Sequence, residues 1–141
     1  MDETRDDAMI RAWFGQMETC VQTRDFTAAR ALFAADVIGF GTRASLVRGL
    51  GRLTEEQWHG IWPNIEGFHF DMTALATGGT GSMRWAVCPW SSTGFDEIHA
   101  PFDRPGRATV IFRVDDDGAL RAIHTHFSLA PGTPQRTFGR A

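Results

Sequence analysis

The chain has 141 residues, 43% hydrophobic and 22% charged, which sets the expectation of one folded unit able to bury a core without disulfides. Its net charge is −3 and its arginines are scattered, which argues against a nucleic-acid-binding stripe, and it has no apolar run of the ~18 residues that a membrane-spanning helix needs. All 14 basic residues are arginine and tyrosine is absent, which removes lysine Schiff-base chemistry, a phosphate-loop lysine and tyrosine acid–base chemistry.

The opening "MDETRDDAMI" is acidic and lacks the basic and apolar regions of a secretory leader. Cys20 and Cys88 show no zinc or redox spacing and suit a reducing compartment, so a cytoplasmic protein is expected. Ile10, Trp13, Phe14, Met17 and Val21 fall on one helical stripe and predict a helix over 4–23. Asp25 is placed to cap a short second helix carrying Phe26, Ala29, Leu32 and Phe33, ended by Asp36. "VIGFGT" reads as a strand, and 42–53 as a loop with at most one turn. Thr54 and Gln57 have capping-box spacing and open a third helix whose buried side is Trp58, Ile61, Trp62 and Ile65, stopped near Pro63.

Past residue 67 the apolar period changes from about 3.6 to 2. "GFHFDMTALAT" predicts a half-buried strand and "GGTG" a turn. "SMRWAVCPWSST" predicts a strand in which Pro89 demands an edge or a bulge, and "GFDEIHAPFDRP" an irregular connection. "GRATVIFRV" and "ALRAIHTHFSL" then form a hairpin about "DDDG", which lacks the further ligands of a calcium loop. The fold class is α+β: a curled antiparallel sheet with three helices on its concave face, spanning 1–131, with 132–141 as a loose tail.

The order of elements, with "AARALFAADVIGFGT", "EEQWHGIW" and "GRATVIFRVDDDGALRAIHTHFSL", resembles the nuclear transport factor 2-like superfamily, close to its SnoaL-like group. The last hairpin also resembles the association domain of calcium/calmodulin-dependent kinase, which carries a similar His-x-His before a Ser. The resemblance implies a cone-shaped sheet, a cavity at its open end and homodimers formed sheet to sheet. It does not carry ketosteroid isomerase chemistry across. The position of those enzymes' first-strand Asp falls near Phe40 or Gly41, and their oxyanion tyrosine has no counterpart. An epoxide hydrolase-like Asp-Arg-Asp site would have to draw on Asp71 and Arg84.

His124 and His126 share one strand face. Three uses are open to them: two ligands of a metal site needing a third from His69 or His99, acid–base work, or a sheet-face role in hydrogen bonding or a dimer interface. The third is favoured, and no metal or other cofactor is expected. Which face of that strand lines the cavity depends on whether a bulge intervenes. Arg107 and Arg113 share a face of the preceding strand, and an inward arginine there would receive a carboxylate. Cys88 reads as a small core residue.

The catalytic candidates are therefore His124, His126, Asp71 and Arg107. The expected ligand-binding set is Phe40, Trp58, Trp62, Trp85, Trp90, Phe112 and Phe127, enclosing a tryptophan-lined cavity between the third helix and the sheet. The expected partners are a small hydrophobic molecule and a second copy of the chain, with no nucleic acid and no membrane. The function expected is small-molecule binding, with lyase, isomerase or cyclase chemistry on a hydrophobic substrate as its enzymatic form. The other reading is a non-catalytic dimerising or ligand-sensing module.

Overall fold

The computed structural model describes residues 3–141, so the first two residues of the expected 1–131 unit lie outside the described residues. Helix α1 (Glu3–Thr23) carries the anticipated stripe, and Ile10, Trp13, Phe14, Met17 and Val21 are all buried. Trp13 shows why this helix seats in one register. Its ring meets Phe33 and Phe112 edge-on, and its indole N–H donates to the Leu32 carbonyl at 2.9 Å. Asp25 caps α2 (Phe26–Arg30) by accepting from Ala28 N. Strand β1 (Phe33–Phe40) starts earlier than expected, with Phe33 and Asp36 inside it, because Phe33 and Val37 both face the core.

The loop anticipated over 42–53 contains strand β2 (Val47–Arg48) and the true start of the third helix. Gly49 takes φ +97, a left-handed conformation that suits glycine, and α3 runs over 50–64. Thr54 therefore lies inside the helix, and its hydroxyl donates to the Leu50 carbonyl rather than capping an N-terminus. The helix is α over Leu50–Leu53, widens to a π turn over Thr54–Trp58, and tightens to 3-10 at Trp62–Asn64, where Pro63 stops it. Its buried pairs, Leu53/Thr54, Gln57/Trp58 and Ile61/Trp62, recur every four residues. A regular α-helix drifts about 40° over four residues, and the wider π turn takes up that drift.

The sheet has the order β2-β1-β7 (Leu120–Leu129)-β6 (Pro101–Val114)-β5 (Met83–Phe95)-β3 (Glu66–Phe70), with β4 (Ala76–Thr80) pairing β5 beyond β3. Strand β3 (Glu66–Phe70) and strand β4 (Ala76–Thr80) are two elements where one was expected, separated by a 3-10 turn at Met72–Ala74 capped by Asp71. Pro89 lies in β5 (Met83–Phe95) where the partner changes from β4 to β3, so its missing N–H faces that gap. Strand β6 (Pro101–Val114) pairs with β5 along its whole length, and β7 (Leu120–Leu129) follows through the expected Asp115–Gly118 turn. One pairing departs from the antiparallel expectation: β1 runs parallel to β7, so the sheet is mixed. The helices cover its concave side, and the class is α+β as anticipated.

The tail beyond β7, expected to be loose, is tied down. Phe138 N donates to the Phe95 carbonyl at 2.8 Å, and the Thr137 hydroxyl donates to the Asn64 carbonyl. Among the described residues no helix is long and apolar enough to cross a membrane.

Candidate functional site

The curled sheet and α3 leave a small cavity between them. Leu53, Gln57, Trp58, Ile61 and Trp62 line it from the α3 side. Met17 and Val21 come from α1, Phe68 from β3, Trp90 from β5, and Thr125 and Phe127 from β7. Phe40 stands at the rim, half exposed, against the His126 ring. Trp58 and Trp62 stack with centroids 4.8 Å apart, and Phe26 continues the stack 5.1 Å from Trp62. These rings leave a free volume of about 40 Å³, against ~300–1,000 Å³ for a site that takes a drug-sized ligand. A wider surface cleft of about 600 Å³ adjoins it through Thr42 and Ile61, bordered by Arg43, Asn64, Arg136 and Phe138.

One end of the cavity is polar. The Gln57 carboxamide oxygen accepts from Arg43 N (2.8 Å) and Ala44 N (2.7 Å), and its nitrogen donates to the Thr42 hydroxyl (2.9 Å). The loop approaches so closely that a Cβ on Gly41 would lie 2.3 Å from the Gln57 Cδ. Thr42 also accepts from Arg104 Nη2 at 3.0 Å. Arg104 reaches inward from β6 and is 1% exposed. It makes no ion pair among the described residues, and burial pulls its pKa down to about 10.

Trp58, Trp62, Trp90, Phe40 and Phe127 meet at this cavity, whereas two members of the expected set do not. Trp85 is on the outer face of β5, 44% exposed, with its ring over Gly78. Phe112 is fully buried but packs against Trp13 and Phe14 in the core beneath.

The catalytic candidates are also elsewhere. A bulge at Ile123 keeps Ala122 and Thr125 both inward and turns His124 and His126 to the outer face. There His124 Nδ1 donates to the Ile38 carbonyl at 2.8 Å across the parallel pairing. Arg107 and Arg113 point outward, because the inward face of β6 is Arg104, Gly106, Ala108, Val110 and Phe112. Asp71 caps its turn and accepts from Thr73, while Arg84 pairs with Asp6 at 3.1 Å, so each is held by a different partner. His69, on β3, bonds Ser91 and is separated from β7 by β5 and β6 in the sheet order, and His99, in the connection between β5 and β6, bonds the Gly139 carbonyl. Cys88 is buried, and burial pushes its pKa up to about 11.

Arg104 was the residue that pattern reading passed over. The signal existed in the alternation backward from Phe112 through Val110, Ala108 and Gly106. Pro101 and Pro105 obscured it, because the stretch that holds Arg104 reads as an irregular connection. The structure accommodates Pro105 because its carbonyl, and hence its ring nitrogen, faces the side that β7 has already left: the next residue after that strand, Ala130, bonds this carbonyl.

A curled mixed sheet enclosing an aromatic cavity beneath a bent helix defines a cone-shaped α+β protein of the nuclear transport factor 2-like type. Residues 10–132 match the SnoaL-like domain family, and the chain belongs to it. A nuclear transport factor 2-like superfamily protein from Salmonella enterica serovar Typhimurium superposes with a TM-score of 0.80 at 16% identity, covering 94% of this chain and 96% of that one. A ketosteroid isomerase-like protein from Erwinia carotovora atroseptica gives 0.75 at 13%, covering 93% and 100%. A candidate calcium/calmodulin-dependent protein kinase II association domain from Xanthomonas campestris gives 0.71 at 14%, covering 94% and 91%. At these identities the likeness is one of fold. A comparison with curated proteins finds no match.

Proposed function

We propose that this SnoaL-like protein is a small-molecule-binding module that holds a compact apolar ligand among Trp58, Trp62, Trp90 and Phe127. The observation that carries this reading is the composition of the cavity wall. It is almost wholly aromatic and aliphatic, with polar groups gathered at one end. Among the described residues, the wall holds no carboxylate, imidazole or thiol. A lyase or isomerase needs a group that takes up and returns a proton near neutral pH, and Arg104, Thr42, Thr125 and Gln57 do not do so. The chemistry of the wall therefore favours binding over acid–base catalysis.

Quenching of tryptophan emission tests the reading directly, since three of the five tryptophans border the cavity. Single-ring and short branched apolar compounds are expected to quench saturably. Trp62→Ala should weaken that binding by about tenfold or more, since a lost aromatic anchor removes at least ~1.4 kcal/mol. A folded Trp62→Ala protein that binds as well as its parent would place the ligand elsewhere.

A second copy of the chain is the proposed protein partner, on the outer sheet face. Trp85, Ile111 and His124 form one row across β5, β6 and β7, and Val87, Thr109 and His126 the next. Trp85 and Val87 are 44% and 40% exposed, an apolar band of the kind that partners cover.

A further inference from the structure

The geometry points to a carboxylate as the polar end of the ligand, bound by Arg104; this rests on the binding reading above and narrows it to small monocarboxylic acids with a compact apolar body. Arg104 has the largest side chain among the most deeply buried residues of the protein. A guanidinium in such a place ordinarily has an anionic partner, because taking a charge out of water is costly unless it is paired. Here its partners are neutral. Nη2 donates to the Thr42 hydroxyl at 3.0 Å, and Nη1 reaches the Ser92 hydroxyl only at 3.4 Å. Among the described residues, Nε has no hydrogen-bond partner.

A second buried donor beside it is also unused. Trp90 Nε1 has no partner among the described residues, and the Arg104 guanidinium carbon lies 5.5 Å from the Trp90 ring centroid. Both residues line the aromatic cavity. So an uncompensated positive charge and two idle N–H donors lie buried beside the polar end of an otherwise apolar chamber. A neutral polar ligand would satisfy the donors and leave the charge unpaired, whereas a carboxylate answers both. Thr42 and Ser92 hold the guanidinium plane in place, and Gln57 in turn holds Thr42. The small free volume, about 40 Å³, disfavours long chains.

The test titrates the unmodified protein at pH 7.5 with benzoate, benzamide, isobutyrate and isobutyramide, by calorimetry and by tryptophan quenching. Each acid is expected to bind at least about tenfold tighter than its amide, the preference a charge-assisted contact confers. Arg104→Met should abolish that preference, bringing each acid to within about threefold of its own amide in the variant. Amides that bind the parent protein as tightly as the acids overturn the carboxylate assignment and leave the cavity as a neutral apolar site. Failure of all four probes to bind overturns the binding reading with it. The acid–amide comparison in the parent stands even if the variant does not fold. Melting of the unliganded proteins gives a readout that a purely structural role would send the other way. A guanidinium reserved for a ligand burdens the empty protein, so Arg104→Met should melt a few degrees higher. A lower melting point would make Arg104 a brace for Thr42 and Ser92, and would overturn the assignment.

Discussion

Gln57 does more for the site than its neighbours suggest. One carboxamide closes the 41–44 loop by accepting two backbone N–H groups and fixes Thr42 through its own nitrogen. Gln57→Leu keeps the volume and removes all three bonds, leaving two partly buried N–H groups unsatisfied. It should cost about 2 kcal/mol or more in urea unfolding. Cys88 gives a pH signature. Its pKa is raised to about 11 in the folded protein by burial, with Asp71 adding to the effect, while the unfolded thiol ionises near 9.0. Between those values the unfolded chain loses a proton that the folded chain keeps, so ionisation favours unfolding as pH rises. The stability of the parent relative to Cys88→Ala should therefore be constant below pH 9 and fall between about 9 and 11, as unfolding at pH 8, 9 and 10 would read. At this scale the aromatic wall was legible and the charge was not. Helical spacing placed Trp58 and Trp62 on one buried face, because the period of a helix is local information. The inward arginine depends on strand parity carried back past Pro105, and without it Arg107, on the outward face, is the arginine that the alternation suggests.

Among the elements, those with a local cause were readable. The α1 stripe, the Asp25 cap and the Asp115–Gly118 turn appear where their residues predict them. The elements that differ are held by partners distant in sequence. Strand β3 ends at Phe70 because α1 reaches across: Glu18 accepts from Phe70 N and Gln22 donates to the Phe68 carbonyl. The split into β3 and β4 follows from that clamp and from Asp71, neither visible in the alternation of Phe68, Phe70 and Met72. The tail is a stronger case. Its Pro- and Gly-containing sequence has no periodicity, yet Thr137, Phe138 and Gly139 bond Asn64, Phe95 and His99. It thereby braces the 3-10 end of α3 and borders the cleft beside the cavity. Removing residues 133–141 should lower the melting temperature and speed amide exchange at Phe95, whose N–H otherwise donates to Thr137 Oγ1 at 2.9 Å. Unchanged exchange there would mean that the tail contacts are too transient to hold α3.

For the molecule as a whole, the fold assigns different work to the two sheet faces. The concave face buries Ala86, Cys88, Trp90, Ala108, Val110 and Phe112 against the helices. The convex face has no helix over it, yet it is not uniformly polar. Met83, Trp85 and Val87 alternate along β5 at 46%, 44% and 40% exposed, with Ile111 and Thr109 beside them on β6 and the two histidines on β7. His124 is already committed through Nδ1 to the Ile38 carbonyl, which braces the parallel β1–β7 pairing and holds the ring in place on that face. A rigid, gently curved sheet bearing an apolar band suits a two-fold contact, in which the same rows meet their own copies. A stable contact of this kind buries about 800 Å² per partner, which several adjacent strands can supply. The expected outcome is a dimer by light scattering at tens of micromolar. Trp85→Asp puts a charge in the middle of the band without touching the core and should shift the protein to monomer, with little loss in monomer stability and with ligand binding unchanged. A parent protein that scatters as a monomer at that concentration removes the dimer, and a Trp85→Asp protein that remains dimeric moves the interface off this face.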